Sequence, residues 1–245
     1  MTYTKQARSA RAAAWEVAGL DWLRVDGGAA VVEVDAVDAN DLVLQRISSV
    51  APTASDAEAF GRPLARTHAA GASAYGVGPD GWDGDGFQGP ADDLLSLPLL
   101  PHESWGAMYA DLRLVPLLDR APSLRTATES LLQRLRSGEF DETCSAPARL
   151  HGDLWSGNVL WTADGAVLID PAAHGGHPES DLAALALFGA PHLDRILASY
   201  NEVASLADGW RDRVPMMQLH LVLLHAVLFG GGYVGQAEHI FGRYR

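Results

Sequence analysis

Cysteine is nearly absent, since Cys144 is the only one in 245 residues. A single thiol excludes a disulfide framework and a cysteine-based zinc site, and it suits a chain kept in a reducing cytoplasm. Cys144 itself reads as a bystander. Basic charge is scarce as well: 18 Lys and Arg face 31 Asp and Glu, for a formal net charge of −13. Nucleic acids and anionic membranes are held through Lys/Arg patches that this chain lacks, so neither is expected as a partner. Any phosphate it binds must be neutralised locally. Long hydrophobic runs are also missing. The most apolar stretch, Met216 to Gly232, is interrupted by Gln218, His220 and His225 and ends in three glycines, which predicts a buried helix rather than a membrane span. Met1 to Gln6 carry no apolar core of a secretory leader, so no signal peptide is expected.

The chain is long enough for one large domain or two modest ones, and a 48% hydrophobic content allows a substantial core. Residues 6–24 are alanine-rich with an apolar stripe through Trp15, Leu20 and Trp22, which predicts a helix of about four turns. Lys5 precedes it and Glu16 lies on it, a spacing that fits the Lys–Glu pair with which kinases hold the α- and β-phosphates; a flexible lysine and a solvated glutamate are the other reading. Two β-type runs around Asp38-Ala39-Asn40-Asp41 predict an antiparallel hairpin over 31–47. In a kinase arrangement Gln45-Arg46-Ile47 would be the hinge whose backbone meets adenine, and otherwise an edge strand without a ligand. Thr53 to Asp56 supply capping residues for a helix over 57–70, on which His68 reads as a packed histidine. The Gly/Pro-rich stretch 71–101 predicts a long loop and a candidate rim for an acceptor, with no calcium-loop spacing among Asp80, Asp83 and Asp85. Further helices are expected over 104–121, disturbed by Pro116, and over 123–136, 182–188, 191–204 and 213–229.

The chemistry concentrates in Leu150-His151-Gly152-Asp153-Leu154-Trp155-Ser156-Gly157-Asn158. Asp153 and Asn158 have the H-x-D-x-x-x-x-N spacing of a kinase catalytic loop, in which the aspartate orients a hydroxyl and the asparagine holds a metal. Twelve residues beyond Asn158, after a turn at Ala163-Asp164-Gly165, an apolar strand runs into Asp170-Pro171. A carboxylate there is placed to bind Mg²⁺ on the ATP phosphates, although the motif is not D-F-G. His174 and His177 lack a convincing third zinc ligand, which leaves structural or substrate-contact roles. Asp181 is an N-cap candidate for the helix that follows.

Three stretches, His151 to Asn158, Ile169-Asp170-Pro171-Ala172 and Gly176-His177-Pro178-Glu179-Ser180-Asp181-Leu182-Ala183, together resemble the fructosamine kinase (ketosamine-3-kinase) family. His-Gly-Asp alone is shared with aminoglycoside- and choline-type kinases; Leu-Trp-Ser-Gly-Asn followed by Asp-Pro-Ala and Gly-His-x-Glu is more particular. The resemblance implies an α+β, protein-kinase-like, two-lobed fold with a truncated small β-containing N-lobe (1–49: lysine strand, helix, hairpin, hinge) and a mainly helical C-lobe (50–245). It implies ATP- and Mg²⁺-dependent phosphorylation of O3 on a small-molecule ketosamine or glycated amine. Asp153 is then the base, Asn158 and Asp170 are the metal ligands, and Lys5 and Glu16 position ATP. Trp155, with His174 and His177, faces the sugar, while His151 and Asp181 brace the loop. The chain as given starts at what would be the family's third strand, without the glycine-rich loop that covers the phosphates. An aminoglycoside- or choline-type kinase and a pseudokinase binding module are the alternatives, and the oligomeric state is open.

Overall fold

The computed structural model covers residues 1–245, with side chains described for all but 126 and 127. Capping and strand alternation place the first elements. Strand β1 (Thr2–Gln6) carries Lys5, and Ser9 caps helix α1 (Ala10–Leu23) by accepting the Ala12 amide at 3.1 Å. The helix therefore starts at Ala10 rather than at residue 6, because the capping serine sets the first turn and helix propensity does not. Its stripe buries Ala13, Trp15, Leu20, Trp22 and Leu23. Strand β2 (Ala30–Val31) takes Val31 out of the expected hairpin and pairs it in parallel with the strand that leads to Asp170. The hairpin proper is β3 (Val34–Asp38) and β4 (Asp41–Gln45), and β1 lies on the other side of β4 with Lys5 opposite Leu42.

Helix α2 (Ala54–Ala69) begins at the predicted capping box between Thr53 and Asp56. The 71–101 stretch, expected as loop, contains a small hairpin of β5 (Gly86–Gln88) and β6 (Leu95–Leu97). Such short strands fall below any sequence signal; what holds them is tertiary, as Trp15 Nε1 donates to the Phe87 carbonyl at 2.9 Å. The helix expected over 104–121 is present as α3 (Trp105–Met108), a π-helical stretch Tyr109–Leu114, and α4 (Val115–Arg120). Pro116 has no N–H for the Leu112 carbonyl, so the ladder widens, and that carbonyl accepts from Arg113 Nη1 at 3.1 Å. A 3₁₀ stretch, Pro122–Ala127, and α5 (Glu129–Arg136) replace the single helix expected there.

Strands β7 (Ala148–Leu150), β8 (Val159–Thr162), β9 (Gly165–Leu168) and β10 (His174–Gly176) frame the chemistry: β8 and β9 form the predicted hairpin, joined by β2, while β7 pairs with β10. Helices α6 (Pro178–Leu187), α7 (Leu193–Val203), α8 (Trp210–Phe229) and α9 (Gly232–Arg243) complete the chain. The N-cap of α6 is His177, whose side chain accepts the Glu179 amide; Asp181 sits inside the first turn, so its expected capping role is corrected. Pro178 at the first helical position explains the earlier start. Helix α9, glycine-containing and weakly patterned, had no expectation and is held by its packing on α8. One core cluster runs from Leu20 and Leu42 through Leu64, Leu114 and Leu168 to Leu223 and Phe241. Among the described residues no helix is long and apolar enough to cross a membrane.

A buried ion pair ties α6 to α8. Arg213 reaches both Glu179 oxygens, with Nη2 at 2.6 Å and Nε at 2.9 Å. Arg213→Met would strand a buried carboxylate and should cost about 3–5 kcal/mol in urea unfolding, and the Arg213→Met/Glu179→Met double variant should recover much of that loss.

Candidate active site

Strand β7 ends at Leu150 and hands the chain to the His151-Gly152-Asp153 turn. Gly152 has φ of +82°, and a Cβ there would lie 2.1 Å from the Ala172 carbonyl oxygen, so only glycine fits. The turn hangs on one buried carboxylate. Asp181 accepts the His151 amide at 2.7 Å, the Gly152 amide at 3.0 Å and His68 Nε2 at 3.1 Å. His68 Nδ1 in turn meets the Tyr200 hydroxyl at 2.8 Å. Burial alone would raise the Asp181 carboxyl, but these partners, His68 first, hold it below the ordinary carboxylate range. His151 accepts the Asp153 amide at Nδ1 (3.3 Å), which leaves its Nε2–H to donate to the Ile169 carbonyl at 2.9 Å. Burial lowers the His151 pKa and keeps the ring neutral. The two acidic stretches, 151–158 and 169–170, are thereby locked together by a histidine that touches both.

Asp153, Asn158, Asp170, Lys5 and Glu16 line one cleft of about 330 Å³. Asn158 Nδ2 donates to the Asp153 carbonyl at 2.8 Å and to its Oδ2 at 3.1 Å, closing the loop on itself. Burial lifts the Asp153 carboxyl to about 7, with Asp170 and Asp181 pushing the same way against the Asn158 amide. Lys5 Nζ lies 2.8 Å from Glu16 Oε2 and 2.8 Å from Asp170 Oδ1, so one ammonium bridges helix α1 and the end of β9. Burial works to lower the Lys5 pKa, but the facing carboxylates outweigh it and hold it above the ordinary value. Burial, with the Asp170 charge, lifts the Glu16 carboxyl in spite of Lys5. Asp170 has φ of +55°, a left-handed conformation that a non-glycine residue adopts at a cost of about 1–3 kcal/mol. Lys5 is the only lysine in the chain, a signal that distinguishes it from a casual surface charge.

The chain that carries this arrangement is similar to known proteins. The sequence profile of the fructosamine kinase family covers residues 15–244. The chain belongs to the fructosamine kinase family. A probable ketoamine kinase of Thermus thermophilus is 32% identical over 225 residues, which span 90% of this chain and 78% of that one. The crystal structure assigned as a fructosamine-3-kinase of Thermobifida fusca superposes with a TM-score of 0.82 at 44% identity, over 94% of this chain and 79% of that one. A macrolide 2′-phosphotransferase of Brachybacterium faecium superposes with a TM-score of 0.58 at 15% identity over 100% of this chain and 84% of its own, a likeness of fold alone. The fold is thus the protein-kinase-like one of the aminoglycoside and choline kinases.

In this member of the fructosamine kinase family the other expected residues divide. Trp155 lies in the cleft, 37% exposed, with its ring folded over Gly157, where a Cβ would come within 2.1 Å of it. His174 and His177 do not contact the cleft. Both are buried: His174 Nδ1 donates to the Ala172 carbonyl at 2.8 Å and Nε2 receives Arg113, while His177 caps α6 and meets Thr143 Oγ1 at 3.0 Å. Their substrate role is corrected to a structural one, because β10 turns His174 into the core and the N-cap position of α6 holds His177 there. The stretch Gln45-Arg46-Ile47, expected as the hinge, begins at the end of β4. The Gln45 and Arg46 amides already donate to the Glu33 and Met1 carbonyls, and neither these residues nor Ile47 line the cleft. His68 and Tyr200 were not connected to the site by sequence, since they meet Asp181 only through the packing of α2 on α7. The end of α8, read as a buried helix, turns out to supply Leu224, His225, Leu228 and Phe229 to the cleft, and the 71–101 stretch supplies Phe87 to Ala91.

The buried histidines set the acid response. Burial, then the nearby Arg113 and Arg213 charges respectively, lower His174 and His177 to about 3, against 6.5 in an unfolded chain. Between those values the unfolded chain binds protons that the folded chain does not, so stability falls as pH drops below about 6.5. The slope should be at most about 1.4 kcal/mol per pH unit for each histidine. Urea midpoints from pH 7.5 to 5.0 should fall accordingly, and His177→Gln, which keeps an acceptor for the Glu179 amide, should flatten the decline.

Proposed function

We propose that the protein transfers the γ-phosphoryl group of ATP to the O3 hydroxyl of a ketosamine of the ribulosamine or fructosamine kind, free or on a glycated amine. The 3-phosphate then leaves by elimination and the amine is released. The observation that supports this reading is the gathering of Asp153, Asn158, Asp170, Lys5 and Glu16 around one cleft in a member of a kinase family. Asp153, held through Oδ2 by Asn158, uses its other oxygen to orient the acceptor hydroxyl and take its proton as the new O–P bond forms and the bond to ADP breaks. Such positioned general-base help is worth roughly 10²–10⁴-fold in rate. Lys5 neutralises the non-transferred phosphates, and Glu16 keeps it extended into the cleft.

Asp170 gives one oxygen to Lys5 and retains the other, and Asn158 spends its amide nitrogen on Asp153, which leaves its carbonyl oxygen. Two hard oxygens suit Mg²⁺, which takes one or two protein ligands beside substrate phosphates. The metal would supply charge neutralisation between the β- and γ-phosphates. Trp155 forms a wall for the sugar, and His151 and Asp181 keep the loop in place.

ATP consumption with Mg²⁺ should appear with ribulose- or fructose-derived ketosamines and be absent with an aminoglycoside or choline; silence on every ketosamine would sink the reading. Asp153→Asn should lower kcat by about 10²–10⁴-fold with the melting temperature nearly unchanged. The solitary lysine gives an independent check. An amine-directed reagent should label Lys5 as the one side-chain target, and ATP with Mg²⁺ should protect it, whereas labelling at the same rate with and without nucleotide would remove Lys5 from the nucleotide site.

A further inference from the structure

Behind the catalytic loop lies a second, much smaller cavity that takes no part in the phosphoryl chemistry. Its volume is about 20 Å³, and its lining includes Trp105, Arg113, Gly152, His174, Ser180 and Asp181. Trp105 and Arg113 are each 1% exposed. Among the described residues, the buried side-chain atoms on this lining that lack a hydrogen-bond partner are Trp105 Nε1 and Arg113 Nη2, and both are donors. The Ser180 hydroxyl has only the Met217 sulfur, at 3.8 Å.

The Arg113 charge is as poorly met as its Nη2. Nη1 donates to the Pro98 carbonyl at 2.8 Å and the Leu112 carbonyl at 3.1 Å, and Nε donates to His174 Nε2 at 3.4 Å. Burial keeps His174, His177 and His220 neutral. Asp181 is the carboxylate on the lining, but its oxygens are taken by the His151 and Gly152 amides and by His68. Asp85, whose charge also acts on Arg113, is held instead by the Ser96 hydroxyl at 2.6 Å and the Leu99 amide at 3.4 Å. A buried charge without a counter-ion in contact is costly.

A water in the cavity would accept from both donors, but it would bring two hydrogens in need of acceptors and leave the charge unbalanced. An anion accepts from both and balances the charge. Size limits the choice: one water needs about 10–15 Å³ of such space, so a spherical ion little larger than water fits and a tetrahedral oxyanion does not. The Asp181 charge and the net charge of −13 disfavour a divalent ion. We infer that this cavity binds one small monovalent anion of the halide class, such as chloride, held by Trp105 Nε1–H, Arg113 Nη2–H and the Ser180 hydroxyl. Because Gly152 and Asp181 share the lining, the ion fills the space directly behind the catalytic loop and stabilises the folded state that carries it.

The test is the melting temperature of the full chain, prepared without chloride and then titrated with it, gluconate keeping the ionic strength constant. The melting temperature should rise by about 3–5 °C for each tenfold increase in chloride above the dissociation constant. Trp105→Phe removes one donor and keeps a ring against Tyr109, on which Trp105 stacks at 5.1 Å. It should need about tenfold more chloride, or still more, for the same rise. No chloride dependence in the wild type, or the same dependence in the variant, would overturn the site. Crystals of the wild type grown in bromide give a check that does not depend on the variant's folding. An anomalous peak within hydrogen-bond reach of Trp105 Nε1 and Arg113 Nη2 is expected, whereas bromide at surface positions alone, an adventitious ion only, would overturn the inference.

Discussion

One ammonium group holds the cleft together. Lys5 sits between carboxylates that arrive from helix α1 and from the end of β9, and without it Glu16 and Asp170 would repel each other in partly buried surroundings. A lysine suits the position better than the arginines that make up the rest of the basic residues, because its compact charge can turn between two carboxylates and a phosphate while a guanidinium demands a planar fork. The left-handed backbone at Asp170 is the local cost of presenting its carboxylate to that ammonium. Helix α1 is kept in register by packing of its own: Gly19 lies against Pro171, and Trp15, Leu97 and Ala172 form a small separate apolar cluster. Helix α1, the Asp170-Pro171 segment and the 86–97 hairpin therefore share one packed wall of the cleft.

The second centre is Asp181, and it works by a different principle. A buried carboxylate surrounded by donors stays ionised and fixes whatever donates to it. Here the donors are the consecutive amides of His151 and Gly152 and a histidine from α2, itself bonded to a tyrosine from α7. The loop thus inherits the rigidity of the helical core. The same core holds His174, His177 and His220 neutral and buries Arg113 with no carboxylate beside it, pushed down to about 9 by burial. Polar groups of this kind are tolerated because they find carbonyl, amide, hydroxyl or ring partners, whereas the buried Arg113 Nη2 has no protein partner.

Much of the site could be read from spacing. The five-residue interval from Asp153 to Asn158, the turn before β9 and the Asp-Pro that follows are local features, and their consequences are local too. The Lys5–Glu16 pairing was visible as an interval from a residue before the helix to one on it, though a flexible lysine fitted that interval equally well. The histidines at 174 and 177 misled as substrate contacts, since a polar residue near a catalytic motif looks functional until the strand that carries His174 and the helix start that His177 caps are seen to be buried. At 45–47 the pairing of the Gln45 and Arg46 amides with the Glu33 and Met1 carbonyls was not legible, because the partners of a strand end are not encoded in a short run.

By itself the sequence determined the elements whose signals are short-ranged: the capping box that opens α2, the β8–β9 hairpin, the apolar α8, and the spacing of Asp153 and Asn158 on one short loop. Only the tertiary structure decided which carboxylate braces that loop, that β2 leaves the first hairpin to pair with β9, that a proline at 116 is absorbed by a π-helical stretch, and that the far end of α8 reaches the cleft. Each of these depends on contacts between residues distant in the chain, where packing and burial select among pairings that local propensity leaves equal in energy.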